Sequence, residues 1–90
     1  MEIEVKLGLV SAKAPLKALV DIVLRFEDEE ITIRRCAVFQ RGTDPAWASL
    51  PRLQIEKHGR KQFVELIELP RELKQRVTKA MLAAYEKEMQ

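Results

Sequence analysis

From Pro70 to Gln90 the chain reads PRELKQRVTKAMLAAYEKEMQ, and here its hydrophobic period changes. Leu73, Val77, Ala80, Met81, Ala84 and Tyr85 recur at spacings of four, three, one, three and one, which lines them up as one stripe on an α-helix. Pro70 suits the first turn, where its missing N–H costs nothing. A helix of about 18 residues is predicted. Its apolar stripe needs a surface to bury against, and the residues upstream supply one.

In EIEVKLGL, residues 2–9, Ile3, Val5, Leu7 and Leu9 alternate with Glu2, Glu4, Lys6 and Gly8, the period of a half-buried strand. After the turn-like SAKAP, the run LKALVDIVLRF puts Leu16, Ala18, Val20, Ile22, Leu24 and Phe26 on one face of a second strand and Lys17, Asp21 and Arg25 on the other. The four acids of EDEE, 27–30, read as a tight hairpin connection with solvated side chains, in preference to a metal site. In ITIRRCAVFQR the parity breaks: Ile31 and Ile33 share one, Cys36 and Val38 the other. A β-bulge near Arg34-Arg35 would bring both pairs to one face; the alternative is a strand buried on both faces. GTDP, 42–45, marks a turn, WASLP a short strand ending at Pro51, and QFVELIEL, 62–69, a last strand. The expected fold is therefore α+β, an antiparallel β-sheet of four to five strands with the C-terminal α-helix packed on it as a second layer. No repeat or second domain is visible.

Ninety residues form one domain with a modest core and little room for a deep cleft. At 47% hydrophobic and 33% charged residues the composition is that of a globular protein. No apolar run approaches the roughly 18 residues of a membrane span, and MEIEVK lacks the apolar centre of a signal peptide, so a cytoplasmic location and no membrane partner are expected. Cys36 has no partner for an internal disulfide, and with His58 as the chain's one histidine no zinc set can be assembled. GxSxG, HExxH and glycine-rich phosphate loops are missing, and three glycines cannot build a phosphate cradle. The expectation is a protein that is not an enzyme, with no cofactor, no metal and no small-molecule substrate.

The net charge is +2, but residues 1–50 hold 7 Lys and Arg against 8 Asp and Glu, whereas residues 51–90 hold 9 against 6. The basic residues concentrate in the segment before the last strand, Arg52, Lys57, Arg60 and Lys61, and on the first helical turn, Arg71 and Lys74, with Lys79 further along. If the segment folds back toward the helix start, these six make one patch suited to phosphates, helped by the free N–H groups of the helix terminus. The bland alternative is a solvated loop and a solvated helix face. Trp47 and Phe63 either stack on bases or fill core or interface. His58 beside Gly59 reads as a turn residue and Cys36 as a small buried hydrophobe. Leu82 lies across the helix from the stripe, and as an exposed leucine it hints at a partner, which a second copy would satisfy.

The series LKALVDIVL, an acidic turn, ITIRRCAVF, WASLP, QFVELI and VTKAMLAAYEKE resembles the SpoVG septation-regulator family (stage V sporulation protein G) over nearly the whole chain. Lys17-Ala18 match its Lys-Ala pair, Trp47 to Pro51 its FVAMP stretch, Phe63 to Leu66 its Phe-x-Asp-Ile strand, and Ala80 to Tyr85 its AVLxAY helix end. The resemblance implies a twisted antiparallel sheet with a C-terminal helix, a homodimer, and a non-enzymatic cytoplasmic regulator of septation, sporulation or gene expression that binds DNA and RNA. It also implies a binding surface on the basic segment after Pro51 and on the adjoining helix. The family's SKRTPDGEF is replaced here by RLQIEKHGRKQF: Arg52 stands at its Ser, Leu53 and Gln54 at its Lys-Arg, and the basic residues shift to Lys57, Arg60 and Lys61. Its His-Pro gives way to Glu68-Leu69-Pro70. The alternative function is a protein-interaction module working through a sheet edge or the exposed helix face.

Overall fold

The computed structural model describes residues 1–11 and 13–89, apart from the side chain of Leu9. Four strands, β1 (Glu2–Val10), β2 (Leu16–Arg25), β3 (Glu30–Phe39) and β4 (Trp47–Ser49), form an antiparallel sheet in sequence order. The helix α1 (Arg71–Met89) lies across one face of it, touching all four strands. The architecture is thus the expected α+β one. Pro70 sits one residue before the helix, and its carbonyl accepts the Lys74 N–H at 2.8 Å, closing the first turn.

The core forms where the helical stripe meets the even-numbered residues of β2. Val20, Ile22, Cys36, Val38, Leu50, Val77 and Met81 are wholly enclosed. Tyr85 is buried beside them, and its hydroxyl donates to Gln40 Oε1 at 3.1 Å, so the phenol's one polar group is satisfied. Burial pushes the Cys36 thiol up to about 11, with the Asp21 carboxylate adding to the effect, so this cysteine behaves as an inert hydrophobe.

Three bulges determine which residues face the helix. At Arg34-Arg35, two residues of β3 oppose the single Asp21 of β2, so that Ile33 and Cys36 both reach the core and the parity break is resolved. Arg34 ion-pairs with Asp21 at 3.7 Å. A second bulge at Lys17 pairs Leu16 with Phe39 and Ala18 with Val38. Leu16 therefore joins Leu19 on the outer face, contrary to the strict alternation expected of this strand. The third, at Gly8, pairs Leu9 with Leu19, so the alternation through 2–9 also slips by one. A Cβ at Gly8 would stand 3.2 Å from the Leu19 carbonyl oxygen, which favours glycine there. Phe26, expected on the core face, falls beyond the strand end in the acidic turn and is exposed, because the Phe26 N–H bonds the Glu29 carbonyl and closes the connection early.

The largest departure lies between Pro51 and Pro70. The segment expected to be a loop followed by a strand at 62–69 is a β-hairpin: β5 (Arg52–Lys57) pairs with β6 (Arg60–Glu65) as a separate two-stranded ribbon. His58 and Gly59 both have positive φ, 53° and 75°, the mark of the type I′ turn whose twist matches that of the strands it joins. The Leu66 N–H makes one more rung to the Pro51 carbonyl, but proline has no N–H to return it, so the ladder ends there, and residues 66–69 lead into the helix without strand structure. Six residues per strand carry the ribbon about 20 Å from its base. The radius of gyration, 14.0 Å, accordingly exceeds the about 12 Å of a compact domain this size. Among the described residues, no helix is long and apolar enough to cross a membrane.

Arg35 holds φ at 64°, the left-handed region, which costs a side-chain-bearing residue about 1–2 kcal/mol. Urea unfolding should show Arg35→Gly at least as stable as the parent, while Arg35→Val, β-branched at a positive φ, should lose about 1–2 kcal/mol.

Candidate functional site

The ribbon of β5 and β6 is an arm with two unlike faces. Cα pairing of Leu53 with Val64, Ile55 with Gln62 and Lys57 with Arg60 puts these six on one face; Arg52, Gln54, Glu56, Lys61, Phe63 and Glu65 occupy the other. The first face is apolar toward the base, where Leu53 and Val64 are 52% and 44% exposed, and cationic at the tip. Lys57 and Arg60 stand directly opposite each other across the turn. Like charges in that position repel. Lys61 is the next residue along, and none of the three has an ion-pair partner among the described residues.

At the base, charge is used differently. The Arg52 guanidinium lies 4.1 Å from the ring centre of Phe63, 5.0 Å from that of Phe39 and 5.4 Å from that of Trp47. Phe39 and Trp47 are cross-strand partners in β3 and β4, and their rings stack at 4.4 Å with 17° between planes. A planar, weakly hydrated guanidinium suits this position better than an ammonium would. Lys74 on the first turns of α1 reaches back to Glu65 at the end of β6, its Nζ donating to the two carboxylate oxygens at 3.0 and 3.1 Å.

The six basic residues expected to form one patch therefore separate. Lys57, Arg60 and Lys61 gather at the arm tip, while Arg52, Arg71 and Lys74 stay at its base. Since 52–65 is an extended hairpin and not a loop that folds back, the two groups lie about 15–20 Å apart along the strands. Lys74 is ion-paired with Glu65, and the Arg52 guanidinium packs against the aromatic rings while its N–H groups stay available at the arm's base. Arg71, the first helical residue, is exposed at the positive end of the helix dipole and has no ion pair among the described residues. Lys79 is exposed further along the helix.

Two other expectations are corrected. Leu82 is half-buried and packs against the core cluster, because α1 lies close enough to the sheet for its flank, as well as its central stripe, to find apolar contacts. Trp47 and Phe63 are not core residues: both lie on the outer side of the sheet, 45% and 57% exposed, where the helix does not reach. Arg35 was visible in the sequence only as part of a register problem. With the bulge in place it shares the outer face with Ala37 and Phe39 and lines the groove beside the arm. Among the described residues, no group of three or more His, Cys, Asp or Glu converges as a metal site.

Comparison with protein-family models, with characterised proteins and with solved structures gives no match.

If the Arg52 contacts hold the arm in place, Arg52→Ala should speed amide hydrogen exchange throughout 52–65 while the core amides of β2 and β3 keep their protection, as residue-resolved exchange would show.

Proposed function

We propose that this protein is a small, non-enzymatic, nucleic-acid-binding regulator, acting in the cytoplasm, whose arm tip contacts phosphates. The observation that carries this reading is the facing pair of Lys57 and Arg60, with Lys61 adjoining, at the end of a projecting ribbon. Two cations opposed across a tight turn weaken the hairpin that bears them. An anion bound between them turns that repulsion into attraction, and a regularly spaced polyanion offers such an anion at every step. A ribbon two strands wide is also of a size to enter a nucleic-acid groove. Arg71, exposed beside the free N–H groups of the helix start, offers a second phosphate contact at the arm's base. The resemblance to the SpoVG septation regulators supports the same reading, since it points to DNA and RNA as ligands and to the segment after Pro51 as the contact. A homodimer would place two arms on one strand and double the footprint.

A second reading rests on the exposed apolar residues of the arm. Leu53, Val64 and Leu66, the last 60% exposed, give it a hydrophobic flank that a protein partner would cover. In this reading the contact moves from the helix face around Leu82 to the ribbon.

Fluorescence anisotropy with single- and double-stranded oligonucleotides over a salt series tests the first reading. Log affinity should fall linearly with log salt, and Arg60→Ala/Lys61→Ala should bind more weakly with a slope shallower by about one to two. Absence of binding at low salt, or a variant indistinguishable from the parent, would contradict it.

A further inference from the structure

The face of the sheet turned away from the helix is not uniform. Toward one end it is covered by charge: Arg25 bridges Glu4 and Glu30, and Arg34 meets Asp21. Toward the other end, the bulges at Lys17 and Arg34-Arg35 place Leu16, Leu19, Ala37 and Phe39 together. The arm rises beside this apolar floor with Arg52, Gln54 and Phe63 turned toward it, and the groove between them encloses about 510 Å³. That volume lies within the range of small-ligand sites.

The chemistry of the lining restricts the occupant. Two arginines, Arg35 and Arg52, are among the residues that line the groove, and no Asp or Glu is, so an anionic group is favoured. The remaining surface is aliphatic floor and aromatic rim. Trp47 stacks on Phe39, Arg52 lies over both and over Phe63, and Trp47 and Phe63 remain 45% and 57% exposed. A ligand that carries a flat aromatic body and a phosphate on one short linkage uses both features, and a nucleotide has that form. Arg35 strengthens the case. Arg35 holds a positive φ, where glycine would be unstrained, and the residue lines the groove.

We propose that this groove receives an unstacked base of a single-stranded nucleic acid, seated against Phe63 and the Phe39–Trp47 stack, with the neighbouring phosphates on Arg35 and Arg52. The inference rests on the nucleic-acid reading above and adds a preference: bases within a duplex stay paired and stacked, so the groove selects single strands. Gln54, with an amide donor and acceptor on the groove wall, can meet the edge of the base.

Trp47 is the chain's one tryptophan and serves as its own reporter. The full chain is titrated with a short oligothymidylate, with an abasic deoxyribose-phosphate oligomer of equal length and with a duplex, following Trp47 emission and ligand anisotropy together. The expected result is quenching of Trp47 by oligothymidylate alone. Phe63→Leu, which keeps an apolar side chain at a solvent-exposed site, should bind oligothymidylate about tenfold more weakly and lower the ratio of oligothymidylate to duplex affinity. Arg35→Gly, which suits the backbone there, should weaken oligothymidylate binding without loss of stability. If anisotropy shows oligothymidylate binding while Trp47 emission is unchanged and Phe63→Leu binds like the parent, the groove assignment is overturned and the arm-tip reading survives. If no nucleic acid binds, both fall. A Trp47 response to an acidic peptide and not to oligothymidylate would also overturn the assignment.

Discussion

A two-stranded ribbon cannot bury its own faces, and on its own it is only marginally stable in water. The arm of this protein stands because its base is held in three ways. The Arg52 guanidinium lies against Phe63 of the arm and against Phe39 and Trp47 of the sheet. The Leu66 N–H bonds the Pro51 carbonyl, closing the ribbon where it leaves the body. Lys74 ties Glu65 to the helix. An exposed ion pair contributes well under about 1 kcal/mol, and cation–π contacts at partly exposed sites about 0.5–1 kcal/mol each. Of the three, Arg52 is the attachment that joins the arm to the rings of the main sheet, and so it bears most directly on the orientation of the cationic tip and the shape of the groove.

The bulges matter as much as the strands. A regular antiparallel sheet of these sequences would send Leu16, Leu19, Ala37 and Phe39 to different sides or leave them scattered. Inserting one residue at Lys17 and one at Arg34-Arg35 gathers the four outside the core without disturbing Ala18, Val20, Ile22, Ile33, Cys36 and Val38 within it. The same β3 bulge turns Arg35 outward with Ala37 and Phe39. One local device thus completes the core on one face and lines the groove on the other.

This division explains what was legible in the sequence. The helix and the strands of the main sheet announce themselves through period, and the Arg34-Arg35 bulge through a break in parity, because burial under α1 enforces both. The arm is harder to read. Its partner for Phe63-Val64 is the short alternation of Leu53 and Ile55, diluted by six polar or charged residues, and its turn, His58-Gly59, carries one glycine where the strongest hairpin signals carry Asn-Gly or Asp-Gly. Since the ribbon is solvated on most sides, hydrophobic burial does not mark it. Six basic residues could be named from the sequence, but their separation into tip and base follows from the pairing of 52–57 with 60–65, which no composition reports. Leu82 misleads for the opposite reason: a helical wheel assumes one narrow buried stripe, whereas a helix laid across a sheet buries part of its flanks as well.

In the proposed reading, the arm tip and the groove beside its base form one surface, with phosphate contacts at both and a place for a base in the groove. The central claim is that the arm is the contact. It is tested most directly by an amide chemical-shift map of the isotopically labelled protein, recorded as a single-stranded oligonucleotide is added at low salt. The account predicts that the largest shifts fall on Lys57 to Lys61 and on residues around Arg52 and Phe63, and that they fade as salt is raised. Shifts concentrated on the outer side of α1 or along the β1 edge, with the arm unmoved, would contradict it.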